Sequence, residues 1–159
     1  MAVSEEKKKE MQDPRTQAIA STIRVVPNFP KPGIMFQDIT TLLLNPPVFK
    51  DTIDLFVERY TGKGISVVAG EVMSKEYELE YGADCLEMHV GAVQPGERAL
   101  VVDDLVATGG TLCAAIVLLE RAGAEVVECA CVIELPELKD IDGIPYIGGD
   151  PVTSYLKLA

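Results

Sequence analysis

The sequence lacks several features that would each indicate a particular class of protein. It has no tryptophan and one histidine, and its 14 Lys and Arg residues face 25 Asp and Glu, a net charge of −11. A protein that neutralises nucleic-acid phosphates needs the opposite charge, so neither DNA nor RNA is an expected partner. No apolar run approaches the ~18 residues of a membrane span. These absences predict a globular protein without a nucleic-acid or membrane partner.

Cysteine and histidine are too few, and too widely spaced, to indicate metal or nucleophilic chemistry. Cys85, Cys113, Cys129 and Cys131 do not form the paired C-x₂₋₄-C spacing of a zinc site. Cys129 and Cys131 lie two apart in an apolar run, which predicts buried thiols on one face of a strand. The histidine, His89, is interpreted as a strand-face residue.

The first twelve residues alternate Glu and Lys and contain no apolar stretch of the kind found in a secretory signal. We expect residues 1–12 to form a flexible leader. With no secretory signal, the default location is a reducing, cytoplasmic compartment.

Apolar periodicity and turn residues predict an α/β fold. Helices are expected from Pro14 to about Arg24 and from Pro46 to Gly62, each preceded by an N-cap Asp or Asn. Strands are expected at 34–38, 65–70, 85–90, 99–102 and 125–134, with a further helix from about Thr111 to Ala122. Strand, loop, helix and strand in succession form a βαβ unit, so the sheet should be parallel with helices against it.

The stretch after the apolar strand at 99–102 carries the strongest chemical signal. Asp103 and Asp104 follow that strand, and the Thr- and Gly-rich residues 107–111 then open a helix. Ligands of open α/β sheets bind beyond the carboxyl ends of the strands, where a helix N-terminus and backbone amides favour a phosphate. Gly109 and Gly110 allow positive φ and a close approach to an anion. In so acidic a chain, amides and a metal would supply the positive potential.

Two other interpretations fit parts of this stretch. An apolar strand ending in two Asp residues is also typical of an NTPase Walker B strand, but the sequence contains no G-x-x-x-x-G-K-[ST] loop. Judged on the loop by itself, residues 107–111 are also consistent with an ordinary surface turn that leads into a Gly-rich helix start and binds no ligand.

Three motifs together resemble a known enzyme family. Val101–Thr111 is similar to the phosphoribosyl-pyrophosphate (PRPP) motif of type I phosphoribosyltransferases. Pro27–Ile39 and Tyr77–Gly82 resemble adenine phosphoribosyltransferases, especially the plant type. The resemblance extends from about Gln17 to Lys139. It implies a type I phosphoribosyltransferase-like parallel sheet flanked by helices, in a domain at 13–139 followed by a divergent tail at 140–159.

The resemblance also implies an activity. Family members act in purine salvage, converting adenine and PRPP to AMP and pyrophosphate with Mg²⁺, as cytoplasmic homodimers. Two alternatives remain open from the sequence: a phosphoribosyltransferase for another base, and a non-catalytic module that binds AMP or PRPP or forms dimers.

Residue roles follow from the matching motifs. The 5′-phosphate would lie against Ala107, Thr108, Gly109, Gly110 and Thr111. Asp103 and Asp104 would bind the ribose hydroxyls and hold Mg²⁺ through water. The adenine pocket would be lined by Ile34, Met35 and Phe36, with Phe36 stacking on the base, and Gln37 stands where many relatives have Arg. Tyr81 and Glu80 would lie on a mobile loop, where Glu80 would assist proton transfer at the purine. Without the resemblance, the sequence indicates only that Glu80 is a carboxylate in a solvated acidic loop.

The chain departs from the family pattern after Gly70. Relatives continue there with a loop, a helix and a basic strand of roughly thirty residues, the size of one αβ crossover unit. Here Glu71 follows directly. The missing segment would carry the diphosphate-binding loop, so we expect an exposed strand edge and a leaving group without its usual cations. Lys75 and Arg98 are the substitutes that the sequence offers.

Overall fold

The computed structural model describes residues 13–70, 87–107 and 109–135, and the backbone of 155–157. These residues belong to two compact units, one ending at Thr61 and the other spanning Gly62–Lys157. No helix in these ranges is both long and apolar enough to cross a membrane.

The first unit contains three helices and a two-stranded antiparallel sheet. In chain order they are α1 (Pro14–Thr22), β1 (Arg24–Pro27), β2 (Met35–Asp38), α2 (Thr40–Leu43) and α3 (Pro46–Tyr60). The side chains of Asp13 and Asn45 cap α1 and α3 by accepting backbone N–H bonds, at 2.9 Å from Arg15 and 3.5 Å from Val48. Both predicted helix starts are therefore confirmed.

The first helix ends earlier than the sequence predicts, because Arg24–Pro27 pairs with β2 instead of continuing α1. Two β-branched valines precede Pro27, and the residue before a proline disfavours helical backbone. A buried partner also fixes Arg24 in the sheet, since its Nε donates to Asp38 Oδ2 at 3.0 Å. The short helix α2 was not predicted.

The core of the first unit lies between its helices. Ile19 of α1, Leu42 of α2 and Thr52 of α3 are fully buried or nearly so. Arg15 joins the helix ends, with Nη1 2.7 Å from Glu58 Oε1 and Nη2 2.8 Å from Asp13 Oδ2. These hydrogen bonds raise the pKa of Arg15 and lower the pKa of both carboxyls.

The second unit is a four-stranded parallel sheet with a helix against it. Its elements are β3 (Val67–Gly70), β4 (Arg98–Val106), α4 (Gly110–Arg121), β5 (Glu125–Glu134) and β6 (Tyr155–Lys157), and the sheet order is β3-β4-β5-β6. All three strand pairs are parallel, and β5 has the predicted bounds. The predicted α/β class with a parallel sheet flanked by helices is confirmed.

Two strand predictions in this unit need correction. β4 does not end before Asp103 but continues to Val106, because Asp103 and Leu105 keep their register with Cys131 and Ile133 of β5. Residues 87–90, the described part of the expected strand at 85–90, form no strand. The carbonyl of His89 instead accepts from Ala92 N–H at 3.0 Å in a turn at Gly91, so His89 is an exposed loop residue.

The core of the second unit lies between α4 and the sheet. Leu112 and Leu119, seven residues apart on α4, pack in one cluster with Val101 of β4 and Cys129 of β5. Cys129 and Cys131 are fully buried, as predicted, and burial raises the pKa of Cys129 to about 12. A neutral, inaccessible thiol of this kind acts as a small apolar group. Cys85 lies outside the described residues.

Candidate active site

The candidate phosphate site lies at the carboxyl edge of the parallel sheet. β4 and β5 run parallel from Arg98 and Glu125, and Val106 and Glu134 are paired at their far ends. The chain then passes from β4 through residue 107 into α4, whose first residue is Gly110. Ala107, Gly109, Gly110 and Thr111 therefore lie together at this edge, whereas Thr108 is outside the described residues.

The backbone at the start of α4 is shaped for an anion. Gly109 is the N-cap and has φ 82°, in the left-handed region that glycine adopts without strain. No side chain among the described residues caps this end, and the first turn of any helix has N–H groups without an intrahelical partner. Gly110 and Thr111 are exposed. Backbone amides at the positive end of a twelve-residue helix can bind a phosphate. Gly110 begins the helix and does not adopt positive φ.

The two aspartates have different environments. Asp103 is only 9% exposed, and its Oδ1 accepts from the backbone N–H of Asp104 at 2.9 Å. Asp104 is exposed, as expected for consecutive residues whose side chains point to opposite faces of a strand. Asp104 can therefore reach a ligand in solvent, while Asp103 also orients the backbone beside it.

A pocket open to solvent connects this edge with the end of β3. Its cavity volume is about 20 Å³, which is room for about one water molecule. The lining residues are Gly70, Val101, Val102, Asp103, Thr111, Leu112 and Ala115. Ala115 is a lining residue outside the motif at Val101–Thr111. The helical spacing of Thr111 and Ala115, four apart and so on one face of α4, is the signal that could have found Ala115.

The residues expected to line the adenine pocket belong to the first unit. Ile34 precedes β2, Met35 and Phe36 begin it, and all three are exposed. The ring of Phe29 meets that of Phe36 edge to face, with centroids 5.1 Å apart, and Phe29 is exposed as well. Clustered exposed apolar groups are typical of binding surfaces. The contact of Phe29 with Phe36 was not predicted from the sequence. Tyr81 and Glu80 lie outside the described residues.

Arg98 is at the wrong end of the sheet to replace the diphosphate-binding loop. It begins β4, and its Nη1 lies 2.5 Å from Glu125 Oε1 at the start of β5. Arg98 and Val106 are the two ends of this nine-residue strand, so eight steps of about 3.3 Å each separate them. Lys63 lies near the same amino edge, with Nζ 3.2 Å from Glu128 Oε2. Arg98 therefore lies at the end of the sheet opposite the candidate phosphate site, which argues against its contact with the diphosphate, and Lys75 is outside the described residues.

The carboxyl edge of the sheet could bind Mg²⁺ only if the substrate supplied some of the ligands. The described residues contain no group of three or more His, Cys, Asp or Glu side chains that could enclose a metal. Asp103 and Asp104 offer carboxylate oxygens, the donors that Mg²⁺ prefers. Mg²⁺ commonly binds through one or two carboxylates together with substrate phosphates and water. The exposed Asp104 fits such a shared site directly, whereas Asp103, 9% exposed and on the other face of the strand, would reach the ion only through water.

Comparison with known proteins agrees with this geometry. The phosphoribosyl transferase domain family matches residues 47–150. Adenine phosphoribosyltransferase 3 of Arabidopsis thaliana is 62% identical, with 82% of this chain and 88% of the relative covered. The crystal structure of adenine phosphoribosyltransferase from Rhodothermus marinus is 34% identical, with a TM-score of 0.73, and covers 91% of this chain and 97% of that one. The Saccharomyces cerevisiae enzyme, complexed with adenine and an imino-altritol bisphosphate, is 29% identical with a TM-score of 0.69 and covers 79% and 91%.

The alignment with the Arabidopsis relative also bears on the segment missing after Gly70. It spans 162 residues but uses only 82% of this 159-residue chain, which is about 130 residues. About thirty positions of the relative therefore have no counterpart here, the length expected for one αβ crossover unit. The fold and these likenesses together show that the chain belongs to the adenine phosphoribosyltransferase family.

Proposed function

We propose that this chain serves purine salvage by converting adenine and PRPP to AMP and pyrophosphate. The observation that carries the proposal is the exposed, glycine-capped start of α4 beside Asp104, in a chain 62% identical to an adenine phosphoribosyltransferase. The exposed segment 34–36 offers an apolar surface for the base. The adenine-bound yeast relative supports adenine as that base.

The reaction exchanges one bond at ribose C1 for another. A C–N bond to adenine forms, the C–O bond to pyrophosphate breaks, and adenine loses a proton. In the proposed site the amides of Gly110 and Thr111 hold the 5′-phosphate, and Asp104 accepts hydrogen bonds from the ribose hydroxyls. A carboxylate near the ribose also stabilises the positive charge that develops on the ring in the transition state.

The finer roles belong to the same proposal. Mg²⁺, held by Asp103 and Asp104 through water, would neutralise charge on the diphosphate as it leaves. Glu80 would take the proton that adenine loses, and Tyr81 would lie beside it on the closing loop. We also propose a homodimer in the cytoplasm.

One observation favours a second candidate, a nucleotide-binding chain with little turnover. Among the described residues of the second unit, Lys63 and Arg98 lie at the amino edge of the sheet, away from the phosphate site. About thirty positions of a close relative are missing. A diphosphate leaving group would then lose preorganised cations that stabilise it in the transition state.

Ligand-dependent stability tests the phosphate site, and turnover separates the two candidates. AMP at a hundredfold excess over its Kd should raise the free energy of unfolding by about 2.7 kcal/mol, whereas adenosine at the same concentration should do much less. Equal thermal shifts with AMP and adenosine would refute the phosphate site. Pyrophosphate release from adenine and PRPP identifies an enzyme; AMP binding without release identifies the binding module.

A further inference from the structure

The loop between β1 and β2 is closed by one side chain. Asn28 Oδ1 accepts the backbone N–H of Gly33 at 2.9 Å, across five residues. Ile34 N–H donates to the carbonyl of Lys31 at 3.2 Å, which adds a second turn at the start of β2. The two hydrogen bonds fix the loop immediately before residues 34–36.

The backbone at Asn28 restricts which residue can perform this role. Its φ is 59°, and it is the sole non-glycine residue with positive φ in the described part of the chain. Asn and Asp tolerate this left-handed conformation better than other non-glycine residues, and both carry a side-chain acceptor. An alanine at this position would be strained by the positive φ and would lack the side-chain acceptor. A glycine would also lack the acceptor but would adopt the positive φ without strain.

The closed loop also sets the position of an aromatic ring. Phe29 follows Asn28 directly, and its ring meets Phe36 at 5.1 Å with an interplanar angle of 72°. Both rings are about half exposed, so neither is held in place by a surrounding core. The backbone of the loop is therefore the main constraint on where Phe29 stands relative to Phe36.

We propose that Asn28 is a positioning residue that preorganises the base-binding segment 34–36 through the closed loop 28–33. The inference rests on the proposed function, since it takes residues 34–36 as the surface that binds adenine. When only a fraction of molecules hold the competent loop conformation, the observed Kd rises by the inverse of that fraction. Loss of the Asn28 hydrogen bond and added strain at φ 59° both reduce this fraction.

Three substitutions separate the two contributions of Asn28. Asn28→Asp keeps the acceptor and the tolerance of positive φ, so adenine affinity should stay near the wild-type value. Asn28→Gly keeps only the backbone freedom, and Asn28→Ala keeps neither. We expect adenine Kd, measured by calorimetric titration, to rise about tenfold for Asn28→Ala and by an intermediate factor for Asn28→Gly, consistent with a competent fraction near one tenth.

The matched control is Asn45→Ala, because Asn45 also closes a local turn by accepting a backbone N–H, at the start of α3. It should lower the unfolding midpoint without changing adenine Kd. Ribose 5-phosphate serves as the second probe, and its Kd should be the same in every variant.

The outcomes distinguish the inference from the function on which it rests. Wild-type adenine affinity in Asn28→Ala would overturn the positioning role and leave the proposed function standing. An equal rise of adenine Kd in Asn45→Ala would also overturn it, since general destabilisation would then be the cause. A wild-type chain that binds ribose 5-phosphate but no adenine would refute the assignment of 34–36 as the base surface.

Discussion

Asp104 and Asp103 are adjacent in sequence but differ in what a substitution would remove. Asp104→Asn changes an exposed carboxylate, so PRPP affinity should fall at least tenfold while the unfolding midpoint stays within error. In Asp103→Asn the remaining amide oxygen can still accept from Asp104 N–H, which keeps the local backbone in place. The double variant should therefore lose PRPP binding and keep its fold, measured by titration and circular dichroism.

The control for charge is Glu120→Gln, which removes one exposed carboxylate from α4, near the end of the helix opposite Gly110. Its PRPP affinity should match the wild type. An unchanged PRPP affinity in the double variant would show that the two aspartates do not bind PRPP and have only a structural role.

Asp38 makes stability depend on pH. Hydrogen bonds from Thr40, and then from Arg24, lower the pKa of this carboxyl from its ordinary value of 3.8. Because the folded-state pKa is below the unfolded one, the stabilisation is present above about pH 4. It is lost as the pH falls from there through the folded-state pKa.

The measurement is the urea midpoint of unfolding at a series of pH values from 6 down to 3. Asp38→Asn should flatten the acid limb of the profile, and Thr40→Val should flatten it partly, since it removes the hydroxyl donor and keeps the backbone donor. An acid limb unchanged in both variants would show that Asp38 does not contribute to it.

Among the helices and strands, the features that depend on neighbouring residues could be predicted from the sequence. Asp13-Pro14 and Asn45-Pro46 predict the helix starts correctly because a cap and its proline act within one turn. The end of α1 could not be predicted, since Arg24–Pro27 is a strand only through its pairing with β2 and the Asp38 carboxylate. The length of β4 is likewise determined by β5, which keeps Asp103 in the sheet.

The candidate site shows the same limit. The glycine-rich start of α4 and the two aspartates are visible in the sequence because their backbone requirements are local. The differing burial of Asp103 and Asp104, the ring contact of Phe29 with Phe36 and the position of Arg98 far from the phosphate site all depend on contacts between distant segments.

Gly109 tests the start of α4 against a matched glycine. Gly109→Ala places a Cβ at φ 82°, and Gly62→Ala does the same at φ 79°, where no atom lies within 4 Å of the added carbon. Each should destabilise the fold by about 1–2 kcal/mol through backbone strain. Only Gly109→Ala should also weaken ribose 5-phosphate binding, by tenfold or more. Equal affinities in the two variants would contradict a phosphate site at this helix start.

The strand β3 lies at one edge of the described sheet. Within the described sheet it pairs only with β4, it carries no charged residue or proline, and Val68 is 66% exposed. Such an edge can pair with another chain. Val68→Lys should raise the soluble fraction after concentration and reduce light scattering. Val57→Lys, which changes a 57% exposed valine on α3, is the control, and an equal improvement there would assign the effect to charge alone.

On the scale of the whole molecule, the chain combines the helix start that we propose as the phosphate site with a missing segment. The βαβ unit of β4, α4 and β5 contains the proposed 5′-phosphate site and its core. The diphosphate, in contrast, would leave from an edge whose described carboxylates include Asp103, Asp104 and Glu134. A site of this composition should bind the product AMP better than it stabilises the leaving group.

Restoring the segment tests this division. A family-like αβ segment of about thirty residues, inserted between Gly70 and Glu71, should cover β3 and return cations to the diphosphate. Each lost preorganised donor typically costs ~10²–10³-fold in rate, so turnover of adenine and PRPP should rise by at least that factor while AMP affinity changes little. A Gly/Ser insertion of equal length is the control and should improve neither turnover nor solubility. If the 159-residue chain already turns over as fast as the restored one, another group meets the diphosphate, and Lys75 becomes the residue to substitute next.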